Sequence, residues 1–452
     1  MKIIVVGAGM VGSAICTELA SEGHDITVVD LDESLLNELS NTTEIMTIPG
    51  NGADLSVLRR AGAQHAQLVI AVTQGDELNI LCCTAARKLG ARHTIARVRN
   101  PEYGELMQLM KTEMNLSLTI NPELSVAKEI YRMLRFPAAA KVDVLCRGRV
   151  ELAEFVIAEG SPLAGLTLNE LRPRTKIPFL VCCVLRDGVT YIPTGTFKLE
   201  VGDVLCVTAS EKDIATFFRA FGMHRNRVKN VLIAGSGRIT YYLEKLLAEG
   251  RIASTVIDNN KAQCLALADD YKCTLVCDDP TRQEALLAAG LTRMDAFLAL
   301  SDLDEENAII SLYAKTQGVP KVVTLIRKIS YIDFFKSAGL ESIASPKSST
   351  VSQILRYVRS RAHTHGSKIE SLHKLMDGSV EALEFFVKDE VDGVTGVPLR
   401  EMHTIEDMLI ACIVHDEQII IPSGHDIITP GDTVVIVTKS GRQMDSIGDI
   451  LE

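Results

Sequence analysis

Short apolar runs alternate with longer amphipathic segments along roughly the first 120 residues of the chain. The apolar runs have the length of buried strands. The segments between them, such as residues 11–22 and 78–89, place apolar side chains at helical spacing. Strands that alternate with helices predict a parallel sheet with helices on both faces. The runs are KIIVVGAG, DITVVD, EIMTIPG, AQLVIAVT and HTIARVR.

A connecting helix and a β-rich segment follow this alternating region. The helix is predicted over residues 123–135, and its apolar residues form one stripe. Such a stripe usually belongs to the core of its own domain, and a dimer surface is the alternative interpretation. Beyond it, residues 181–185, a turn at Asp187-Gly188 and residues 189–192 predict a β-hairpin. The stripe consists of Leu124, Ala127, Ile130, Tyr131 and Leu134.

The whole pattern occurs twice, so the chain consists of two copies of a unit of about 225 residues. Most equivalent residues of the parallel-sheet regions are 228 positions apart. The spacing shortens to 224 at the connecting helix and becomes 229 in the β-rich part. Pairs that show this are Gly7 and Gly235, Asp30 and Asp258, Arg99 and Arg327, Pro122 and Pro346, and Asp203 and Asp432.

These patterns predict an α/β protein with four parts. Two Rossmann-like, doubly wound parallel-sheet domains are each followed by a small β-rich α+β subdomain. The predicted domains are residues 1–136 (including the connecting helix), 140–224, 228–361 and 368–452.

Composition narrows the classes of function. The net charge of −11 over 452 residues argues against nucleic acid as a partner. The sequence has no secretory signal and no apolar run of membrane-spanning length, which predicts a cytoplasmic protein. Its eleven cysteines include no CxxC pair, so we predict buried thiols in a reducing compartment and no metal site. The basic segment 356–374, with His363, His365 and His373, is a solvated linker, a docking patch for an acidic partner or a metal site.

The first glycine-rich turn predicts a nucleotide pocket. Gly7, Gly9 and Gly12 follow a strand and begin a helix, the context that a dinucleotide fingerprint requires. Gly7 permits the tight turn, Gly9 lets a pyrophosphate approach, and Gly12 allows close packing of helix and strand. Asp30 lies 21 residues after Gly9, where an acid binds ribose hydroxyls and disfavours a 2′-phosphate. The alternative is a glycine-rich turn that only allows the helix to pack and binds no ligand.

Other candidates lie at the carboxyl ends of the predicted strands, where open α/β sheets bind ligands. Asn51 belongs to a tight loop suited to an adenine ring, and Thr73-Gln74 faces the same crevice. Asp76 and Glu77 either cap the following helix or contact the ligand. Arg97 and Arg99 alternate along a strand and share a face, which favours recognition of an anion over internal salt bridges.

The duplicated motifs GAGMVG with VVD, VTQGDELN, IARVRNPEY and PTGTFKLEVGD resemble those of the TrkA family. Its members are peripheral regulatory subunits of Trk-type potassium uptake systems, built from RCK domains (regulators of potassium conductance). The resemblance covers essentially the whole chain. It implies a homo-oligomeric cytoplasmic ring beneath a membrane-embedded potassium-translocating subunit, gated by NAD, NADH, ATP or ADP.

The resemblance also implies two nucleotide pockets, one in each copy. The residues implied for the first are Gly7, Ala8, Gly9, Met10, Val11, Asp30, Asn51, Thr73, Gln74, Arg97 and Arg99. Those implied for the second are Gly235, Ser236, Gly237, Arg238, Ile239, Asp258 and Ser301.

The second copy departs from this pattern at three places. Thr240 replaces the third glycine, Leu325 replaces Arg97, and residues 278–281 differ from the adenine loop of the first copy. We therefore expect the first pocket to accept ATP or ADP as well as NAD, and the second to prefer NAD or bind weakly. Thr240 is expected to push helix and strand slightly apart.

Two other classes of function fit the sequence less well. An NAD-dependent oxidoreductase needs a general acid or base beside the nicotinamide, and the duplicated β-rich loops offer no obvious one. A redox-sensing DNA-binding regulator needs a basic recognition element, which the acidic chain lacks. The sequence therefore favours a non-enzymatic nucleotide sensor without catalytic residues.

Overall fold

The computed structural model describes residues 1–103, 116–175, 177–223, 227–362, 368–442, 444 and 446–452. His363 and His365 of the basic segment lie outside these residues. No helix in the described part combines the length and apolar composition needed to cross a bilayer.

The first copy contains a parallel sheet and an antiparallel sheet. The parallel sheet has the strand order β3-β2-β1-β4-β5-β6 and the antiparallel sheet β10-β9-β11-β8-β7. The strands are β1 Lys2–Val6, β2 Asp25–Asp30, β3 Met46–Pro49, β4 Leu68–Ala71, β5 His93–Arg97, β6 Leu118–Ile120, β7 Lys141–Leu145, β8 Val150–Val156, β9 Leu180–Arg186, β10 Val189–Tyr191 and β11 Val204–Ser210. Helices span Met10–Ser21, Glu33–Thr42, Leu55–Arg60, Asp76–Leu89, Pro122–Arg135, Leu168–Leu171 and Glu211–Ala220.

The second copy repeats both sheets. Their strand orders are β14-β13-β12-β15-β16-β17 and β18-β19-β22-β20-β21. The strands are β12 Asn230–Ala234, β13 Ala253–Ile257, β14 Thr274–Val276, β15 Ala296–Ala299, β16 Lys321–Leu325, β17 Ser342–Ala344, β18 Lys368–Leu375, β19 Val380–Phe386, β20 Met408–His415, β21 Gln418–Ile420 and β22 Thr433–Lys439. Helices span Arg238–Glu249, Lys261–Asp270, Gln283–Ala288, Asp304–Thr316, Ile332–Ser337 and Pro346–Ala362. The predicted α/β fold is confirmed.

The two connecting helices are exchanged between the copies. In the first connecting helix (Pro122–Arg135), Ile130 is fully buried against the second parallel sheet and its helix Arg238–Glu249. In the second (Pro346–Ala362), Ile354 packs on the first sheet and the helix Met10–Ser21. The interpretation of the stripe as the core of its own domain is therefore wrong, because each connecting helix packs on the opposite copy within the same chain.

The two antiparallel sheets also pack on each other, through a shared apolar cluster. Reciprocal hydrogen bonds accompany this contact. The Cys146 amide donates to Glu384 Oε1 (2.9 Å), and the Met376 amide donates to Glu154 Oε1 (3.2 Å). Equivalent residues thus make equivalent contacts, and the chain forms an intramolecular dimer with approximate twofold symmetry.

One buried carboxylate in each β-rich part has a different cationic partner. Arg186 donates from Nε and Nη2 to both oxygens of Asp203, at 2.7 Å each. In the second copy His415 Nδ1 donates to Asp432 Oδ1 at 2.5 Å. Both aspartates are 1% exposed. The first pair keeps its charge at all ordinary pH values, whereas the second depends on protonation of a histidine.

We predict that the second copy, unlike the first, loses stability as the pH rises. The hydrogen bond to Asp432, with a smaller effect of Asp416, raises the pKa of His415 above its ordinary value of 6.5. The stabilisation is therefore fully present below about pH 6.5 and is lost as the pH rises through the folded-state pKa. The substitution His415→Arg should flatten the dependence of the melting temperature on pH above this value.

Circular dichroism melts between about pH 6 and about pH 9 measure this difference. The control is His425→Arg, at an exposed histidine between β21 and β22. Parallel melting profiles for the wild type and His415→Arg would contradict the prediction.

Candidate functional site

Each glycine-rich turn contains a glycine that the backbone conformation requires. Gly7 has φ 109° and Gly235 has φ 111°, in the left-handed region. A Cβ on Gly7 would lie 3.0 Å from the Thr73 amide nitrogen, and one on Gly235 would lie 2.8 Å from the Leu300 carbonyl oxygen. The chain can therefore turn between strand and helix only with glycine at these positions.

The middle glycines lie against open space. A Cβ on Gly9 or Gly237 would meet nothing within 4 Å. Each glycine is also the N-cap of the helix that follows, and neither helix has a side-chain cap there. The first amides of both helices are thus free of a capping side chain, at the positive end of the helix dipole. This arrangement suits a phosphate.

The two turns differ at the third position of the motif. A Cβ on Gly12 would lie 1.8 Å from the Gly7 carbonyl oxygen. Thr240, which is fully buried, instead donates its hydroxyl to the Gly235 carbonyl oxygen at 2.6 Å. Since no side chain fits the spacing of the first turn, the second turn must be wider, as expected for Thr240. Its hydroxyl replaces the close backbone contact with a hydrogen bond.

The acid at the end of the second strand of each parallel sheet holds the glycine-rich turn. Asp30 Oδ2 accepts from the Ala8 amide at 2.6 Å, and Asp258 Oδ2 accepts from the Ser236 amide at 2.7 Å. The Ser236 hydroxyl adds a second bond to Asp258 (2.8 Å). Each carboxylate retains lone pairs for a ligand hydroxyl.

Two buried asparagines that sequence reasoning did not select join neighbouring strand ends. Asn79 Oδ1 accepts from the Thr73 amide (2.8 Å), and its Nδ2 donates to the Arg97 carbonyl oxygen (2.9 Å). Asn307 makes the equivalent bonds to Ser301 and Leu325. Their exact repetition at 228 residues was the signal that could have identified them.

Two guanidinium groups, those of Arg97 and Arg99, lie at the end of the fifth strand in the first pocket. Arg97 Nη2 donates to the Thr73 carbonyl oxygen at 2.6 Å, while its buried Nε has no hydrogen-bond partner in the structure. Burial, with smaller effects of the Arg99 and Arg238 charges, lowers the pKa of Arg97 to about 10. Arg99 reaches the Gln74 carbonyl oxygen and pairs with Asp76. An anion bound here would relieve this concentration of positive charge.

Arg238 also acts electrostatically on the first copy. This exposed arginine follows Gly237, beside the second glycine-rich turn, to which it is assigned. Its charge acts on Arg97 and on Glu123, both in the first copy. Glu123 lies in the first turn of the first connecting helix, and burial raises its pKa. A cation beside the second turn thus adds positive charge near Arg97.

The second pocket has fewer cations at the end of its fifth strand. Leu325 replaces Arg97 and is buried. Arg327 Nη1 donates to the Ser301 carbonyl oxygen (2.8 Å), and its Nη2 pairs with Asp302 (2.7 Å). This arginine is thus engaged by the protein itself.

The remaining predicted residues differ in what they present. Asn51 is exposed, and its Oδ1 accepts from the Ala53 amide (2.9 Å), which shapes the loop. Met10 is 62% exposed, and Val11 is partly buried beside the first core. Ile239 is 5% exposed and lies in the core, so only its backbone can face a ligand.

The side chains of Asp76 and Glu77 do not cap their helix. Their helix begins at Asp76 with Gly75 as N-cap. Asp76, 6% exposed, accepts from the amides of Arg99 and Asn100, each at 2.8 Å. Glu77 accepts from the Tyr103 hydroxyl. Asp76 therefore holds the chain that follows β5 and positions Arg99.

Family comparison agrees with this duplicated architecture. Residues 3–118 and 231–346 each match the TrkA-N domain, and residues 152–222 match the TrkA-C domain. The chain belongs to the TrkA family. TrkA relatives align over nearly the full length. The Trk system potassium uptake protein TrkA homolog of Archaeoglobus fulgidus is 30% identical over 440 residues, 97% of each chain. TrkA of Vibrio alginolyticus is 30% identical over 454 residues, 99% of this chain and 98% of that one.

Solved structures show the same fold. The GsuK RCK domain aligns with a TM-score of 0.62 and 19% identity, over 97% of this chain and 92% of that chain. The GsuK channel bound to NAD aligns with a TM-score of 0.63 and 18% identity, over 97% of this chain and 77% of that chain. The chain therefore shares its fold with the GsuK RCK domain.

We predict opposite tolerances at the two third positions of the motif. Gly12→Ala should destabilise the first parallel-sheet domain by about 1–3 kcal/mol or more, because its Cβ would overlap the Gly7 carbonyl oxygen. Thr240→Val should cost about 1 kcal/mol, through loss of one hydrogen bond. Chemical denaturation followed by circular dichroism measures both, with Ser13→Ala as a control. Equal destabilisation would contradict the assignment of Gly12 as a steric requirement.

Proposed function

We propose that this protein is a nucleotide-sensing regulatory subunit that gates a membrane potassium transporter. The observation that carries the proposal is the first pocket. An uncapped helix N-terminus at Gly9 and the partly buried Arg97 both follow carboxyl ends of strands in the first parallel sheet, and the buried Arg97 Nε has no hydrogen-bond partner among the described residues. Arg99 and Arg238 add positive charge. Such a site is suited to the phosphates of a nucleotide.

The residues present fit NAD or an adenine nucleotide. The open space above Gly9 admits a pyrophosphate, and Asp30 has lone pairs for ribose hydroxyls. Its carboxylate would repel a 2′-phosphate, which favours NAD over NADP. The TrkA-N match and the NAD-bound GsuK channel support this choice of ligand class.

We propose further that the two pockets differ in preference. The first has Arg97 and Arg99 at the end of its fifth strand, whereas Leu325 leaves the second with Arg327 alone at the equivalent place. A triphosphate carries more charge than a dinucleotide and gains more from additional guanidiniums. The first pocket therefore accepts ATP, ADP or NAD, and the second prefers NAD.

Single-pocket variants test this difference. Gly9→Leu and Gly237→Leu would each place a side chain in space that is empty, so both should fold while blocking one phosphate site. Isothermal titration should show that Gly237→Leu retains ATP and NADH binding, whereas Gly9→Leu retains NADH and loses most ATP binding. Identical ligand profiles for the two variants would contradict the proposed difference.

A contact between the copies provides a route from the ligand to the shape of the molecule. Tyr242 of the second copy donates its hydroxyl to the Arg99 carbonyl oxygen (2.9 Å) and accepts from Asn121 Nδ2 (2.7 Å). Asn121 caps the first connecting helix through the Leu124 amide (2.8 Å). A ligand that moves Arg99 would thus act on the helix that joins the copies. To shift the conformational equilibrium, the ligand must bind the two arrangements with different affinities.

The proposed partners are further copies of this chain and a membrane-embedded Trk-type potassium-translocating subunit, at the inner face of the cell membrane. The names of the relatives support the transport system. Exposed Leu81 (56%) and Ile309 (67%) support assembly, because they occupy equivalent positions on the two copies. Repeated apolar side chains on equivalent helices suit a ring of alternating copies.

Co-purification with the translocating subunit, with and without ATP and NADH, tests the function. We expect the wild-type protein to associate with the translocating subunit. The double variant Leu81→Asp/Ile309→Asp should associate more weakly and form a smaller oligomer in light scattering. The control is Leu265→Asp, at an exposed leucine (56%) on the helix Lys261–Asp270. No association under any nucleotide condition would overturn the partner assignment.

The rival function is an NAD-dependent oxidoreductase, since the parallel-sheet domains would suit either role. This function predicts that NADH is oxidised in the presence of carbonyl substrates, which is measured as a loss of NADH absorbance. A regulatory protein without catalytic activity should oxidise no NADH, and measurable turnover would favour the oxidoreductase.

A further inference from the structure

A large cleft opens between the two copies on one side of the approximate twofold axis. Its volume is about 1430 Å³, and it extends from the helix Met10–Ser21 to both connecting helices and the antiparallel sheets. Ala8, Gly9 and Met10 line one end. A cleft bounded by both copies is sensitive to their relative position.

The cleft exists because equivalent residues differ in size. Ser13, Ala14 and Thr17 of the first copy line it. Their counterparts at 228 residues are Tyr241, Tyr242 and Lys245. Tyr241 and Tyr242 pack against the cluster that contains the first connecting helix, with their rings 5.9 Å apart. The interface on the other side of the axis is therefore filled by aromatic side chains.

The start of the second connecting helix forms a polar wall of this cleft. Ser345, Lys347, Ser348 and Ser349 all line it. Ser345 is 6% exposed, and its buried hydroxyl has no hydrogen-bond partner in the structure. In the first copy, Asn121 occupies the equivalent position and caps its helix through Oδ1. The unpartnered serine marks a helix start that is not capped by its own side chain.

Two residues further along the helix, a lysine in the second copy replaces an acid in the first. Glu123 of the first copy lies close to Arg97, Arg99 and Arg238, whereas its counterpart is Lys347. Lys347 forms no ion pair with any residue in the described ranges, and burial lowers its pKa. A bound anion would supply the missing opposite charge.

Several acidic side chains that line the cleft are compensated by cations. Lys374 pairs with Glu18 (2.7 Å), and Lys141 pairs with Asp143 (2.7 Å). Glu341 pairs with Lys315 (3.6 Å). Lys347 differs from these lysines because it has no such partner in the described ranges.

We propose that the cleft binds a phosphate-bearing small molecule through Ser345, Lys347 and the first amides of the second connecting helix. This site shares its cleft with Gly9 of the first glycine-rich turn, but its groups belong to the second connecting helix, so it goes beyond the nucleotide sensing proposed above. A phosphate there accepts from the serine hydroxyl, the ammonium group and the helix amides. Because the cleft is bounded by both copies, the ligand favours the arrangement in which these groups converge.

Calorimetric titration of the full chain with inorganic pyrophosphate tests the site, with NADH in excess to occupy the turns. We expect binding that persists in NADH, and Lys347→Glu should weaken it about tenfold or more through loss of a charge-assisted hydrogen bond. Ser13→Tyr, which copies Tyr241, should fill the cleft and abolish binding. The matched control Lys245→Glu reverses an exposed lysine that does not line the cleft and should leave binding unchanged.

The outcomes separate this inference from the proposed function. Pyrophosphate binding that NADH displaces, or that survives both Lys347→Glu and Ser13→Tyr, would overturn the cleft site. NADH binding without any pyrophosphate binding would also overturn it and leave nucleotide sensing intact. Pyrophosphate binding that depends on Lys347, in a protein that never binds NADH, would support the cleft site and contradict the proposed function. Circular dichroism confirms that each variant is folded.

Discussion

Burial of one apolar stripe from each connecting helix in the opposite copy is the constraint on which the rest of the structure depends. Ile130 and Ile354 are both fully buried in this way. Each such side chain contributes about 1.5–3 kcal/mol when removed from water, so the several residues of each stripe make the contact comparable to a domain core. Neither copy can move away from the other without exposing this surface.

The exchange of helices also decides where the chemistry lies. Each connecting helix begins directly after the sixth strand of its own parallel sheet, at the edge of the sheet where parallel strands present their carboxyl ends. It then crosses to the opposite copy. This brings Arg238 into the electrostatic environment of Arg97 and Tyr242 against the Arg99 carbonyl oxygen. The first pocket is thus assembled from both copies, although its glycine-rich turn belongs to one.

Features with local patterns were predictable from the sequence, whereas contacts between distant segments were not. The strand runs, the glycine-rich turns and the 228-residue repeat follow from periodicity and from the few residues that tolerate a left-handed backbone. The partner of the apolar stripe could not be chosen, because a stripe shows that a helix face is buried and not what buries it. For the same reason, the sequence could not show that the charge of Arg238 also acts on Arg97 of the opposite copy.

Differences between equivalent residues carry information that neither copy has alone. A twofold arrangement of identical units would have two equal pockets and two equal interfaces. Here Thr240 replaces a glycine in one turn, and Leu325 removes one guanidinium. Two tyrosines on one side of the axis correspond to a serine and an alanine on the other. In a homodimer each of these changes would occur twice and affect both sides together. Duplication within one chain lets them occur once, so the two sides of the molecule can respond to different ligands while sharing one core.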